Sequence, residues 1–541
     1  MKKYCELDLG FADAANYRTR QNKDLFHRFF VLNENLEKLL KPNIYFLIGG
    51  KGTGKTAFST YLSNTEYKNT SAKTIFISET EYEKFVSLRT SKNLMLSDYT
   101  SIWKVLLLLL ISNQVKEGEN TINSLKNYTQ YQKLRDGIDE FYGYAFAPEI
   151  ITAFNVVERS NEAIEILSKH LTLSSANEKQ HSYDGKVFQN NLLYLERVFK
   201  GGIEKLKLSK NHILFIDGID IRPKNIPYQE YLDCVKGLAH AVWLLNNDFF
   251  GGIRDSKGRI KVVLLLRPDI FAELGLQNAN NKIRDNSVLL EWKTIYPQYR
   301  SSYIFGLADR MLSVQQEPKE KYEIGDCWDY YFPFKTASEY GSDDSFVSFL
   351  RYSLFRPRDI ITLMQIIKDS MIESGNDLFP YVKINPFGEA SIKSKYSDYL
   401  LGEIRDYLLF YHSENDYNLF LKFFEYLNGK ARFSYDEYID AYEEFGNFIE
   451  ASDKDVPSYM QSSSDFLQFL YDMDVICYYT ENIDGTNQMH WSFRERNYSN
   501  LNPKVQEGSN YLIHYGLQKA FDTGKPYIRR AVIKKRTIVK Q

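Results

Sequence analysis

Cysteine is scarce in this chain: four residues in 541, Cys5, Cys234, Cys327 and Cys477, far apart and without a CxxC pair. That spacing argues against a disulfide framework and a cysteine zinc site, and it fits a reducing compartment. Histidine numbers only eight. No HExxH occurs, and no Ser/His/Asp set sits in a context that would assemble it, which argues against zinc-protease or serine-hydrolase chemistry. Charge of one sign is missing too. The 68 basic and 70 acidic residues leave a net charge of −2, so any contact with nucleic acid must be local. No run reaches the roughly 20 apolar residues that a bilayer crossing needs. The most hydrophobic stretch, VLLLLLI (Val105–Ile111), reads as a buried helix. The opening MKKYCELDLGFADAAN lacks the apolar centre of a secretory signal. A cytoplasmic protein with no membrane contact is the expectation. Internal repeats, low-complexity linkers and a GTPase-type NKxD are also absent.

What is present is enough for several cores. A length of 541 residues suggests three or four domains at about 100–200 residues each. The chain is 43% hydrophobic, with 41 Tyr and 36 Phe, a composition suited to helices packed through large rings. Between Ile44 and Thr294, five strand-like runs are separated by helical stretches: Ile44–Ile48, Thr74–Ser78, Ile213–Ile216, Lys261–Leu266 and Val288–Glu291. Continuous apolar strands alternating with helices predict an α/β fold with a parallel sheet covered on both faces. The long strandless stretch at about 80–210, rich in Leu, Tyr, Lys and Glu at helical spacing, predicts a helical insertion. After residue 320 the strand signal fades. Residues 321–393 read as a helical unit, with Asp343–Glu373 helical around FRPRDI. Residues 394–524 combine helical patterns with two apolar-aromatic runs joined by Asp484-Gly485, a hairpin signal. Helices followed by a hairpin suggest a winged helix. The tail at 525–541 carries seven basic residues and no acid, so it reads either as a DNA-contacting segment or as a solvated disordered end.

One stretch carries chemistry. Gly49-Gly50-Lys51-Gly52-Thr53-Gly54-Lys55-Thr56, followed by Ala57, matches GxxxxGK[ST] between an apolar strand and a helix. Glycines let the backbone curl its N–H groups toward an anion. The following helix adds partial positive charge at its start. Lys55 brings a full charge for the β- and γ-phosphates of a nucleotide, and Thr56 a hydroxyl for Mg²⁺. A second site, HILFIDGID (His212–Asp220), is an apolar strand ending in Asp217. A carboxylate ending a neighbouring strand can hold the Mg²⁺ through water. Asp220 could orient or deprotonate the attacking water, or could serve as a helix N-cap or turn residue. Arg267, closing the strand KVVLLLRPD, could reach the γ-phosphate or stand as a solvated turn arginine. Arg358 in FRPRDI lies near a helix start, where a cation opposes the dipole, so phosphate is one contact that would justify it. Arg284 fits either a finger reaching into a neighbouring subunit or a surface pair with Asp285.

These motifs resemble the STAND branch of the AAA+-related P-loop ATPases, which includes the NACHT-type proteins. The branch tends to show an apolar strand ending DGhD, where h is apolar, as in ILFIDGID here, and a later strand closed by Arg-Pro, as in LLLRPD. LDLGFADAANYRT followed by LIGGKGTGKTAF, with FRPRDI and MHWSFRE downstream, is more specifically similar to a poorly characterised group of bacterial P-loop ATPases. The resemblance implies an ASCE-type ATPase core, a helical lid bearing a sensor-like Arg358 and a winged helix. It also implies a nucleotide switch binding ATP and ADP, in bacterial signalling or defence against phages, with a protein partner or a homo-oligomer. One departure stands out: AAA+ motors usually place Glu directly after the Asp at the strand end, where this chain has Gly218. Fast, motor-like turnover is therefore not expected. The alternative is a DNA-engaging ATPase resembling replication initiators, using the winged helix and the basic tail.

Overall fold

The computed structural model describes residues 1–77, 96–118, 192–193, 196–197, 199–204, 206–224, 226–254, 256–276, 279–318, 322–338, 341–481 and 487–524. Most of the expected insertion at 80–210, the Asp484-Gly485 turn and the basic tail at 525–541 lie outside the described residues.

All five expected strands form: β1 Phe46–Ile48, β2 Thr70–Phe76, β3 Asn211–Asp217, β4 Ile260–Leu266 and β5 Ser287–Leu289. They make a wholly parallel sheet in the order β2-β3-β4-β1-β5. Every β4 residue is buried, as expected of a strand covered on both faces. The alternation along β4 sorts its side chains. Val262, Leu264 and Leu266 join one core with the helices Leu96–Gly118 (α2) and Tyr228–Leu244 (α3). Val263 and Leu265 join a second core with Phe58, Tyr61 and Leu62 of the helix Lys55–Asn64 (α1). The run Val105–Ile111 is fully buried inside α2, apart from a trace of Leu110. Among the described residues no helix is long and apolar enough to cross a membrane.

The order corrects one expectation. Asp217 does not end a strand next to β1; β4 lies between β1 and β3. Local apolar runs specify strands, not their lateral order, because that order is set by the crossover connections.

The described residues of 322–393 are helical with one strand pair as the exception. The short antiparallel pair β6 Lys335–Ser338 and β7 Gly341–Asp344 takes Asp343 and Asp344 out of the expected helix. The helices are Ser345–Tyr352 and Pro357–Glu373 (α4), with Arg356 as N-cap and Pro357 in the first turn, where its missing N–H costs nothing. Ala390–Tyr411 (α5) leads into three helices, Glu414–Phe423 (α6), Tyr435–Ala451 (α7) and Ser463–Asp472 (α8). Ser413 and Ser434 form capping boxes with Asp416 and Glu437, and Ser462 caps α8 by accepting from the Asp465 N–H. The expected hairpin strands, β9 Ile476–Glu481 and β10 Asn487–His490, pair antiparallel and join β11 Asn510–Ile513 and β8 Arg432–Ser434 in a four-stranded sheet ordered β10-β9-β11-β8. One apolar core runs through this whole half, from Phe349 and Leu363 to Phe420 and Tyr511. Its rings meet both edge to face, as Phe423 and Phe466 do at 4.7 Å, and stacked, as Phe424 and Phe521 do at 3.7 Å. Tyr4, Leu7 and Leu9 belong to it as well, and the Tyr4 hydroxyl donates to the Met364 carbonyl at 2.8 Å. The first residues therefore clasp the helical half rather than the sheet.

A buried ion pair fastens α4. The Asp359 side chain is wholly buried. It accepts from Arg356 Nε at 2.9 Å and Nη2 at 2.7 Å, from the Leu354 N–H at 2.9 Å and from the Tyr399 hydroxyl at 2.9 Å. Asp359→Ala takes away the bidentate carboxylate of a buried guanidinium, leaving it the Lys51 carbonyl at 3.1 Å and Glu403 at 3.6 Å, so it should cost about 3–5 kcal/mol. Denaturant unfolding checks this; a loss below about 1 kcal/mol would mean that Arg356 finds another acceptor.

Candidate functional site

The glycine loop begins where β1 ends. The Gly49 N–H donates to Leu266 O at 3.0 Å, and the Thr53 hydroxyl donates to Gly50 O at 2.8 Å, which closes the curl. Gly52 and Gly54 take φ of 79° and 98°, the left-handed region that glycine alone enters freely. The α1 helix starts at once, its Phe58 N–H bonding Gly54 O at 3.0 Å. The N-terminal N–H groups of a ten-residue helix thus face the loop's concavity.

Lys55 folds back over this loop. Its ammonium donates to Gly49 O at 2.7 Å and Gly50 O at 3.1 Å. Burial pushes its pKa down, against the pull of Asp220 and Asp217. Beside it the Thr56 hydroxyl donates to Asp217 Oδ2 at 2.8 Å, although these residues lie 161 positions apart. Asp217 Oδ1 accepts from the Gly218 N–H at 2.9 Å. Burial, then the charge of Asp220, raises the Asp217 pKa. Asp220 borders the same cavity, in a turn where the Ile221 N–H reaches Gly218 O at 3.3 Å. It does not cap a helix, because α3 begins only at Tyr228 after Pro227.

A cavity of about 380 Å³ opens over these groups. Lys51, Gly52, Gly54, Lys55, Thr56 and Ala57 border it, with Asp217, Gly218, Asp220 and Arg358. Its far side is apolar, built from Phe11, Ala12, Phe29, Phe30, Leu307 and Met311. Arg358 enters from α4. Its N–H approaches Gly52 O at 3.4 Å, its Nε donates to Ala12 O at 3.3 Å, and Glu403 lies 3.7 Å away.

Arg267 is elsewhere. Its guanidinium forms a salt bridge with Asp269 and lies 4.5 Å from the Tyr407 ring centroid and 4.8 Å from that of Phe410. The Tyr411 hydroxyl also donates to Asp269, at 2.6 Å. Burial works to raise the Asp269 pKa, but Arg267 beside it holds the carboxyl well below the usual range. Arg267 borders a second cavity, of about 430 Å³, behind the loop between the sheet and α5. Gly49 and Gly50 border that space, while Lys55, Thr56 and Asp217 do not. Arg284 lies on the surface with its side chain 81% exposed, 3.6 Å from Asp285.

Three contributions have no strong local sequence signal. Lys51, in the loop itself, reaches Glu403 at 3.1 Å and Asp406 at 2.7 Å on α5. Arg356 Nη1 donates to Lys51 O at 3.1 Å, and Trp292 Nε1 donates to Thr53 O at 2.9 Å. The N-terminal segment supplies the apolar wall; its FADA residues stand in the sequence without any chemistry that marks them as a lining.

Burying ionised Asp217 has a consequence for stability. Its folded pKa is raised, so the folded chain holds that proton more tightly than the unfolded chain does. The group's stabilising contribution is complete in acid and is lost as pH rises through the folded pKa. Asp217→Asn should therefore stabilise the ligand-free protein at pH 7 by about 0.5–2 kcal/mol, the range for relieving strain at a functional site. The gain should shrink toward pH 4. Thermal unfolding at both pH values checks it, and a gain that grows in acid would contradict this electrostatic account.

The chain matches no protein-family model and no curated protein at a significant level.

Proposed function

We propose that this chain is a P-loop ATPase of the ASCE type, working as a slow nucleotide-dependent switch. The observation that carries the reading is the Thr56–Asp217 pair at 2.8 Å, beside Lys55 and the start of α1, at the C-terminal ends of parallel strands. Ligands of open α/β sheets bind there. A loop strand separated from the acidic strand by one other strand is consistent with it. In this reading the loop N–H groups and Lys55 hold the phosphates, and the wall of Phe11, Phe29 and Phe30 takes the adenine. Thr56 and Asp217 fit Mg²⁺, since their oxygens converge and phosphate and water would complete its shell. The bound metal would supply charge neutralisation at the β- and γ-phosphates. Asp220 orients the attacking water. Gly218 leaves no carboxylate directly after Asp217, which fits slow turnover.

The switch follows from where the loop is tied. Lys51 and Gly52 touch α5 and α4 through Glu403, Asp406, Arg356 and Arg358. Phosphate drawing Lys55 and Arg358 inward would shift those ties, and with them the winged-helix-like half. Signalling to a protein partner, with a role in defence, suits such a device in a cytoplasmic protein. The replication-initiator alternative gains no support, because α8 in the position of a reading helix contains Asp465 and Asp472 and no Lys or Arg.

Calorimetric titration with ADP and with a non-hydrolysable ATP analogue, each with Mg²⁺, tests the reading, together with phosphate release from ATP. Binding of both and slow release are expected. Absence of binding would remove the proposal, and binding without release would reduce the protein to a nucleotide-stabilised scaffold.

A further inference from the structure

Three cations border the candidate nucleotide cavity, and all are committed: Lys51 to Glu403 and Asp406, Lys55 to loop carbonyls and Arg358 to Ala12 O. Arg18, close by, is not. Its Nε and Nη2 are shielded from solvent and have no hydrogen-bond partner among the described residues. A buried donor without an acceptor is rare in folded proteins and calls for a reason. Arg18 is also held in place. Its Cζ lies 3.3 Å from the centroid of the Phe76 ring, a cation–π contact. Phe76 borders the cavity and is the register partner of Asp217 on the neighbouring strand. The segment carrying Arg18 is pinned to α1, since Asn64 Nδ2 donates to Tyr17 O at 3.0 Å and the Tyr17 hydroxyl accepts from the Phe11 N–H at 2.7 Å.

We infer that Arg18 reads the terminal phosphate of the nucleotide, as an arginine supplied within the same chain by the N-terminal segment. This deepens the P-loop reading and rests on it. Arg18 does not itself border the cavity; its guanidinium packs behind Phe76, which does, and Asp217 is the charge it feels most, so it lies toward the side assigned to metal and γ-phosphate rather than toward the apolar wall at Phe29 and Phe30. A planar fork with free N–H groups matches phosphate oxygens in two-point contact. Asp217 and Asp13 are the charges it feels most, yet Nε and Nη2 bond neither, so a phosphate toward which the side chain turns would give these shielded donors their acceptor. ADP lacks the group that Arg18 would meet, and discrimination between the two nucleotides is the result.

The test is calorimetry with the full chain, Mg²⁺, ADP and the β,γ-imido analogue of ATP, on wild type, Arg18→Gln, Arg18→Lys and Phe76→Leu. Arg18→Gln should weaken the analogue roughly 10- to 100-fold, the worth of charge-assisted hydrogen bonds, while ADP stays within about 3-fold. Arg18→Lys should recover part of the loss, because it keeps the charge without the fork. Phe76→Leu should lower the analogue-to-ADP preference while keeping the cation, which carries the test if Arg18→Gln fails to fold. Equal weakening of both nucleotides, or no change in either, would overturn the role of Arg18 and leave the loop reading intact. Wild type binding neither nucleotide would instead overturn the reading beneath it.

Discussion

Lys55→Ala should lower affinity for Mg²⁺ and the ATP analogue by at least about 100-fold, the equivalent of about 3 kcal/mol. Lys51 in the same loop is drawn off to Glu403 and Asp406, which leaves Lys55 as the loop charge for the phosphates, and hydrogen bonds from a charged donor are worth about 1.5–3 kcal/mol each. Two phosphates would share it. Folding should suffer little. The variant loses two bonds, to Gly49 O and Gly50 O, but also relieves a buried ammonium whose pKa is already pushed down by burial. Calorimetry should show lost binding with a melting temperature within a few degrees of wild type. Lys55→Arg should not restore binding, since a forked, longer side chain does not fit the position that reaches carbonyls at 2.7 and 3.1 Å. Unchanged affinity in Lys55→Ala would separate the loop from phosphate altogether.

The second large effect is at Gly218. It takes φ of 88°, and a Cβ there would sit 2.4 Å from the Ile77 carbonyl oxygen. The obstacle is main chain on β2's exit, which cannot rotate aside. A left-handed non-glycine residue costs about 1–3 kcal/mol, and forced overpacking about 1–3 kcal/mol more. Gly218→Ala should therefore lose about 2–6 kcal/mol in denaturant unfolding, and Gly218→Glu no less. The same geometry explains the departure from AAA+ motors. A glutamate after Asp217 is excluded by the backbone, so inserting one is expected to unfold the site rather than speed hydrolysis. A stable Gly218→Glu variant with faster phosphate release would refute this.

Local sequence carried the strands because parallel strands buried on both faces are continuous apolar runs. It carried their ends less well. β2 begins at Thr70, four residues before the apolar part of its run, because TSAK is polar and pairs through its backbone with Asn211–Leu214. The tight glycine loop between β1 and α1, and an aspartate closing β3, were legible from motif and context; that together they hold a phosphate is the proposal. Arg267 was not. Its strand-end position is as expected, but Asp269 two residues on and the α5 rings turn it behind the loop, and no local pattern encodes those distant rings. Arg18 and Tyr4 were invisible for the same reason, as each acquires meaning only from a partner far along the chain. The capping serines preceding α6 and α7 were readable in principle, being local devices three residues long.

The tie from Lys51 to Glu403 and Asp406 has one more implication. One loop borders the candidate nucleotide cavity on one side and is tied to α5 on the other, so in the proposed reading occupancy at one end and posture at the other share one equilibrium. Thermodynamic reciprocity then requires that whatever docks on the α5 half and alters those two carboxylates changes nucleotide affinity by the factor that nucleotide changes its own. A partner could thus be found without being known, as any added component that shifts the nucleotide dissociation constant.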